Sequence, residues 1–485
     1  MSNKSSTKRY CLIGAGACGL PIIKNFKERG IPFDCFESEA DIGGIWNPES
    51  PNRVYEAMCL NTSKSLTRYV GFPIPEEYTQ FMSRPQAVDY LHSYARHFDL
   101  YDDITFNTTV KKVLKAGDTW RVTLAGEKQP RIYDGLVVTT GHHWDPKMPK
   151  YPGKFTGEIL HSIDVKDRDQ LRDKRVLIVG AGNTGCDLAA EAVFLSKSVL
   201  HSMRRSYYFL PKFVFGQPLD RLLDHTQRWP VPRKFLRWLY GLGFFVLVGP
   251  HKKLGLPEPD HKILESHPSA AAAWLVQQAQ GRIKVKPDIE KLSGKKVIFN
   301  DGTEAEIDLI IYCTGFHATF PFMDNSYFVD KDGTSPMFLN AFHREYDNLF
   351  AGGLVQPADG SFWQLADFQG QLIASFIVTQ ELDPGRAAWF HKLKETATPA
   401  IDHGVTYLDT ERHKLEVQHY RYRTYIKKLL SKFGPMATAK YPAQSAQKTA
   451  GKRSANQARK ALDTPLNMPA QPAKRGNMAG HQPSL

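Results

Sequence analysis

Gly14-Ala-Gly16-Ala-Cys-Gly19 and Gly180-Ala-Gly182-Asn-Thr-Gly185 share the spacing G-x-G-x-x-G, and each follows a short apolar run. In such a segment the first glycine allows a tight turn, the second lets the backbone approach a pyrophosphate, and the third lets helix and strand pack closely. The helix that follows offers unpaired N–H groups and partial positive charge to the anion. One copy is weak, because glycine-rich turns are common. Two copies, each in a strand-turn-helix context, predict two dinucleotide sites in one chain.

The flanking elements must position these turns. Tyr10–Ile13 reads as a buried strand, and a helix pattern then runs to Arg29, where Gly30 and Pro32 supply stop signals. The next strand, Phe33–Phe36, ends in Glu37, roughly 20 residues beyond the glycines, where a carboxylate accepts hydrogen bonds from a ribose 2′-hydroxyl. Glu37 therefore points to FAD or NAD. In the second copy, residues 176–179 lead in, a helix pattern continues through 186–194, and 199–203 is the next strand; Ser202, Arg204 and Arg205 stand where the acid would be. Arginine pairs well with a 2′-phosphate, so the second nucleotide is expected to be NADPH. The plainer alternative is an arginine pair solvated at a strand end.

A second internal echo supports this layout. Asp134 and Asp308 each precede a glycine, Gly141 and Gly315, by seven residues, with an apolar strand between. The later strand follows a hairpin signal at Asn300-Asp301-Gly302. The expected fold class is α/β, with two Rossmann-like dinucleotide-binding domains and the NADPH domain inserted into the FAD domain. Residues 1–165 form the first part of the FAD domain, 166–304 the NADPH domain with an aromatic-rich insertion at 206–275, and 305–434 the second part of the FAD domain with C-terminal helices. Residues 435–485 read as a basic disordered tail.

Composition narrows the classes. A chain of 485 residues, 42% of them hydrophobic, can build two cores. There is no apolar run of about 18 residues and the N-terminus is polar, so neither a spanning helix nor a secretion signal is expected. Residues 235–249 come nearest, with Trp238, Tyr240, Phe244 and Phe245, and read as a packed surface helix; a channel cover or a weak peripheral membrane contact is the alternative. The six cysteines include no Cys-x-x-Cys pair, which points to reduced thiols and a cytoplasmic location. The histidines show no metal-ligand spacing, so no metal is expected. Net charge is +13, but 435–485 carries +7 of it, with eight Lys or Arg against Asp463. That tail lacks the apolar residues to order itself. Specific nucleic-acid binding is therefore not expected, and a homodimer is left open.

The chain resembles the flavin-containing monooxygenases of the single-component type across most of residues 8–380. Besides the two fingerprints, Phe155-Thr-Gly157-Glu-Ile-Leu-His161 is similar to the family's F-x-G-x-x-x-H segment. Four residues after that histidine the family has Tyr or Phe, and its Baeyer-Villiger relatives have Trp; here it is Val165. Glu37 through Gly43-Gly44-Ile-Trp46 resembles the flavin-side E-x-x-x-x-x-G-G-x-W stretch, where Gly44 and Trp46 lie against the cofactor. Asn61-Thr62-Ser63-Lys64 resembles the region whose asparagine sits by the flavin's reactive edge, and Cys313-Thr314-Gly315-Phe316 resembles the family's F-A-T-G-Y segment.

The resemblance implies that NADPH reduces FAD and that a flavin C4a-hydroperoxide passes one atom of O2 to an apolar small molecule, by N- or S-oxygenation. It implies cofactor contacts from His161, Thr314 and Gly315, and a catalytic role for Asn61. Baeyer-Villiger oxygenation of ketones is the alternative, and an NADPH-sensing flavoprotein with a partner-binding tail is the alternative of another class. The absence of a nucleophile triad agrees with chemistry carried by a cofactor.

Overall fold

The computed structural model describes residues 8–266, 268–331, 335–402, 404, 407–408 and 413–442. Tyr10–Ile13 lies at the heart of a seven-stranded sheet, parallel to Phe33–Phe36 on one side (Tyr10 opposite Phe33) and to Gly135–Val138 on the other (Tyr10 opposite Gly135). Leu349–Ala351 extends the parallel set, Ile104–Thr105 forms one edge, and the short antiparallel strands Met337–Phe338 and Phe342–His343 form the other. All four residues of Tyr10–Ile13 and of Gly135–Val138 are buried. That is the pattern of a parallel sheet covered on both faces. Helices Gly19–Arg29 and Phe362–Leu382 pack against each other here. They approach so closely that a Cβ on Gly370 would lie 3.2 Å from the Ile22 Cα.

The second sheet has five parallel strands in the order Glu158–His161, Leu309–Tyr312, Arg175–Val179, Ser198–Ser202, Ile283–Lys286. Its outermost and second strands lie outside the 166–304 segment expected to hold this domain. The boundaries are corrected accordingly: residues 158–161 and 309–312 complete the second sheet. Asp308 shows why, since its carboxylate accepts from the Arg175 backbone N–H at 3.0 Å and from the guanidinium Nε and Nη2 at 2.8 Å each, fixing the two strand starts together. The two connectors between the sheets pair as an antiparallel ladder, Asp145–Pro146 with Phe316–His317.

The insertion at 206–275 forms helices Leu219–Thr226 and Arg233–Leu247 and docks on the C-terminal helix His419–Phe433. Asp224, whose side chain is 5% exposed, accepts from Arg423 Nη2 at 2.7 Å. Burial pushes this carboxyl up, but the His419 hydrogen bond and the Arg423 charge outweigh it and hold it at about 2. The stabilisation is therefore present above the ordinary carboxylate range and lost as pH falls through about 2.

Two expectations need correction. Arg233–Leu247 is a helix but not a packed one: Leu236 is its one fully buried residue, while Trp238 and Phe245 are each 60% exposed and Val246 is 74% exposed. The tail does not begin at 435. Gly434–Ala437 forms a 3-10 turn, and the buried Tyr441 donates its backbone N–H to Arg29 O at 2.7 Å, an aromatic anchor that a reading by charge passes over. Residues 443–485 lie outside the described residues. Among the described residues, no helix is long and apolar enough to cross a membrane.

Candidate active site

The first fingerprint forms the floor of a cleft of about 280 Å³ walled by Gly14, Gly16, Glu37, Gly44, Trp46 and Thr139, among others. Gly14 has φ +100° and faces the carbonyl of Thr139, 2.9 Å from where a Cβ would stand. A Cβ on Gly19 would lie 2.3 Å from Gly14 O. These two glycines are thus required by the protein's own packing. Gly16 is different. Its Cβ would meet only the Gly44 backbone, at ordinary contact distances of 3.6 Å to Cα and 3.8 Å to N, so the space beside it is kept open toward the cleft.

Glu37 is buried, and its position is fixed by the turn itself. The Ala15 N–H donates to Oε2 at 2.6 Å, and the Glu39 N–H donates to Oε1 at 3.0 Å. The carboxylate keeps lone pairs for the hydroxyls of a ribose. Trp46 is buried in the cleft wall, edge-on to Trp363 at 5.6 Å. Sequence reasoning missed Thr140, His142 and His143, which follow the closing strand and line the same cleft. Burial pushes the His142 imidazole well below its ordinary value, aided by His143, and brings His143 down to about 4, so both are neutral. The His142 Nε2 and Thr140 Oγ1 are buried without hydrogen-bond partners. Their signal was the Thr-Gly-His-His run directly after the apolar strand. Open space at Gly16, a pinned acid and two orphaned polar atoms all fit a bound FAD.

The second fingerprint repeats the turn. Gly180 has φ +107° and a Cβ there would stand 2.6 Å from Cys313 O; a Cβ on Gly185 would stand 1.9 Å from Gly180 O. Gly182 caps the helix Asn183–Ala192 in an extended conformation, which leaves the first-turn N–H groups facing outward. Beyond the strand end, Arg204 is exposed. No hydrogen bond or ion pair among the described residues ties it. Arg205 is held by Asp260, its Nε 2.9 Å from the carboxylate. Arg204 follows two residues after Ser202, whose carbonyl accepts the Gly180 N–H at 2.9 Å, and a guanidinium there suits the 2′-phosphate of NADPH. Ser202 is not at that rim: it is fully buried and donates to Pro287 O at 2.8 Å, because it closes the strand rather than following it.

His161 ends the strand Glu158–His161, Thr314 and Gly315 follow Leu309–Tyr312, and none of the three is in the walls of the first cleft. The His161 Nε2 donates to Gly315 O at 3.1 Å while its Nδ1 accepts the Ile163 N–H at 3.2 Å, which fixes a neutral tautomer. Burial lowers its pKa in the same sense. The Lys147 N–H also donates to Gly315 O, at 3.0 Å, and the Thr314 hydroxyl donates to Lys147 O at 2.5 Å. This histidine ties the end of its strand to the turn that follows Leu309–Tyr312. Asn61 also lies outside the first cleft's walls. Its Oδ1 is buried with no hydrogen-bond partner among the described residues.

Two sheets with parallel cores, each opening a glycine turn onto a helix N-terminus, with an acid beside one and an untied arginine after a strand of the other, define a two-dinucleotide flavoprotein oxidoreductase. The chain matches the family model "Flavin-binding monooxygenase-like" over residues 7–435, and it belongs to that family. It is similar to flavin-containing monooxygenase 5 of Mus musculus, with 32% identity over 432 residues, 84% of this chain and 80% of that one. It is also similar to dimethylaniline monooxygenase [N-oxide-forming] 2 of Macaca mulatta, with 31% identity over 391 residues, 76% of this chain and 72% of that one. Among solved structures, an oxidized steroid monooxygenase bound to NADP shares the fold with a TM-score of 0.62 at 17% identity, covering 88% of this chain and 98% of that one. The protein is an FAD-dependent, NADPH-consuming monooxygenase that acts on a small molecule and O2. It is an enzyme and not merely a sensor.

Proposed function

We propose that this enzyme oxygenates soft nitrogen or sulfur centres of apolar, neutral or weakly basic molecules. The observation that carries the reading is Val165. It is 1% exposed and walls a cavity of about 240 Å³ together with Tyr55, Leu171 and Leu188, at the position where the Baeyer-Villiger pattern has Trp. The N-oxide-forming relative supports the same preference. Glu56 and Glu191 among the lining residues, against Arg168, favour a weakly basic guest over an acidic one.

FAD, when bound, supplies the redox chemistry and the activation of O2. The chain's own work is to hold, orient and exclude water. The first turn and Glu37 seat the adenine-ribose end of FAD. The second turn seats the pyrophosphate of NADPH, with Arg204 at the 2′-phosphate. The neutral His142 presents a polar nitrogen without bringing a charge into the cleft, and Asn61 orients groups at the reactive edge through its amide. A panel pairing amines and thioethers with ketones, read by mass spectrometry for one added oxygen, tests the preference. N- and S-oxides are expected to dominate; esters or lactones as the main products would overturn it in favour of the Baeyer-Villiger reading.

We further place the enzyme in the cytoplasm, in weak contact with a membrane surface. Arg233–Leu247 carries exposed Trp238, Phe245 and Val246, and basic residues Arg233, Lys234 and Arg237 stand at its N-terminal end, the composition of an interfacial helix. Flotation with vesicles containing anionic lipid is expected to recover the protein and to fail for Trp238→Asp with Phe245→Asp. Equal recovery of both would rule the contact out.

A further inference from the structure

Asn61 stands in a bulge of the chain that the insertion holds from outside. The Leu60 N–H donates to Met82 O and the Lys64 N–H to Gln80 O, each at 2.8 Å, so residues 60–64 lie against the shorter segment 80–82 and residues 61–63 are pushed out of the pairing. A bulge leaves backbone groups without ladder partners, and something else must satisfy them. Here the Ser63 N–H donates to Asp220 Oδ2 at 2.6 Å, and that carboxylate belongs to the insertion. Ser63 is fully buried. The hydrogen bonds behind it are local: the Thr67 hydroxyl donates to Ser63 O at 2.9 Å, and the Ser63 and Ser65 hydroxyls lie 3.0 Å apart. Those bonds shape the turn, while Asp220 attaches it to the insertion.

The helix that supplies Asp220, Leu219–Thr226, is itself held at both ends. At its start the Leu219 N–H donates to Lys212 O at 3.0 Å, and Asp220 Oδ1 accepts the Arg221 N–H at 2.7 Å, which fixes the rotation of the carboxylate. At its far end the Thr226 and Tyr240 hydroxyls lie 2.6 Å apart, Gln227 Nε2 donates to the same Tyr240 oxygen at 3.1 Å, and Asp224 accepts from Arg423 at 2.7 Å. A second contact from the insertion falls on the partner segment of the bulge: Phe213 stands edge-on to Phe81 with ring centres 5.3 Å apart, and Lys212 Nζ lies 5.4 Å from the Phe81 ring centre. The insertion thus grips both halves of the bulged pair.

We propose that Asp220 is a positioning residue of oxygen transfer, and that the helix Leu219–Thr226 is the strut through which the insertion sets the place of Asn61. The proposal rests on the reading that Asn61 serves oxygen transfer. The buried Asn61 Oδ1, without a hydrogen-bond partner among the described residues, can meet an incoming donor only from a fixed backbone position. A carboxylate on a backbone N–H supplies that fixity, because a charge-assisted hydrogen bond is about twice as strong as a neutral one. Flavin reduction by NADPH uses the two glycine turns and not this bulge, so loss of Asp220 separates the two half-reactions.

The test compares Asp220→Ala with Asp220→Asn, whose amide oxygen can still accept the Ser63 N–H, in the FAD-loaded enzyme. It reads hydrogen exchange of the peptide spanning residues 60–67, the rate of anaerobic flavin reduction by NADPH, and product formed per NADPH consumed. In Asp220→Ala, exchange of that peptide is expected to quicken about tenfold and product per NADPH to fall about tenfold, with flavin reduction unchanged. Asp220→Asn is expected to recover most of both losses. Adding Asp220→Ala to Asn61→Ala is expected to lower product per NADPH no further, because the aspartate acts through the asparagine. Unchanged exchange in Asp220→Ala, flavin reduction lost as far as product, or additive losses in the double variant would overturn the proposal. So would full coupling in Asp220→Ala beside lost coupling in Asn61→Ala, which leaves Asn61 its role. Full coupling in Asn61→Ala overturns the reading of Asn61 itself, and the proposal with it. Should Asp220→Ala not fold, Asp220→Ser, which keeps a polar first turn but is too short to reach Ser63, carries the same expectations.

Discussion

Gly16→Val is expected to yield a folded, colourless protein. The backbone at Gly16 needs no left-handed conformation, and a Cβ there touches nothing of the chain closer than 3.6 Å. What the added side chain meets is the cofactor's pyrophosphate, whose approach to the backbone is the reason for a glycine at the second position. FAD affinity should fall by about a hundredfold or more, a loss of roughly 3 kcal/mol. Circular dichroism should be unchanged, with a lower melting temperature only to the extent that bound FAD stabilised the fold. Gly14→Ala and Gly19→Ala should behave differently, since their Cβ atoms would collide with Thr139 O and Gly14 O and disturb the turn itself. Gel-filtered Gly16→Val with full flavin absorbance would remove FAD from this cleft.

Arg204→Ala is expected to lower the preference for NADPH over NADH by one to two orders of magnitude, the loss of a charge-assisted phosphate contact worth roughly 1.5–3 kcal/mol. The effect should appear in the KM for NADPH and spare that for NADH. Arg205→Ala should do less, because Asp260 already holds that guanidinium. Steady-state kinetics with both nucleotides checks this; a preference retained in Arg204→Ala would move the phosphate site elsewhere.

Much of this fold was legible because it is repeated. Each G-x-G-x-x-G turn sits between an apolar run and a helix pattern, and the strands at Tyr10–Ile13, Phe33–Phe36 and Gly135–Val138 stand where their composition put them. The domain boundary was less legible, because Leu309–Tyr312 is as apolar as a strand of either sheet; only the pairing of Asp308 with Arg175 assigns it. Glu37 could be read from its distance to the glycines. Ser202 and His161 could not, since a polar residue at a strand end looks the same whether it faces a ligand or the neighbouring backbone.

In this enzyme one atom of O2 reaches an organic substrate at the expense of NADPH. Turnover of the FAD-loaded enzyme under 18O2 with a thioether or tertiary amine measures it directly. The expected result is one labelled oxygen in each product molecule, with one NADPH consumed per product and little hydrogen peroxide. NADPH oxidation that returns all of the oxygen as hydrogen peroxide across the substrate panel, or product whose oxygen is unlabelled, would contradict it.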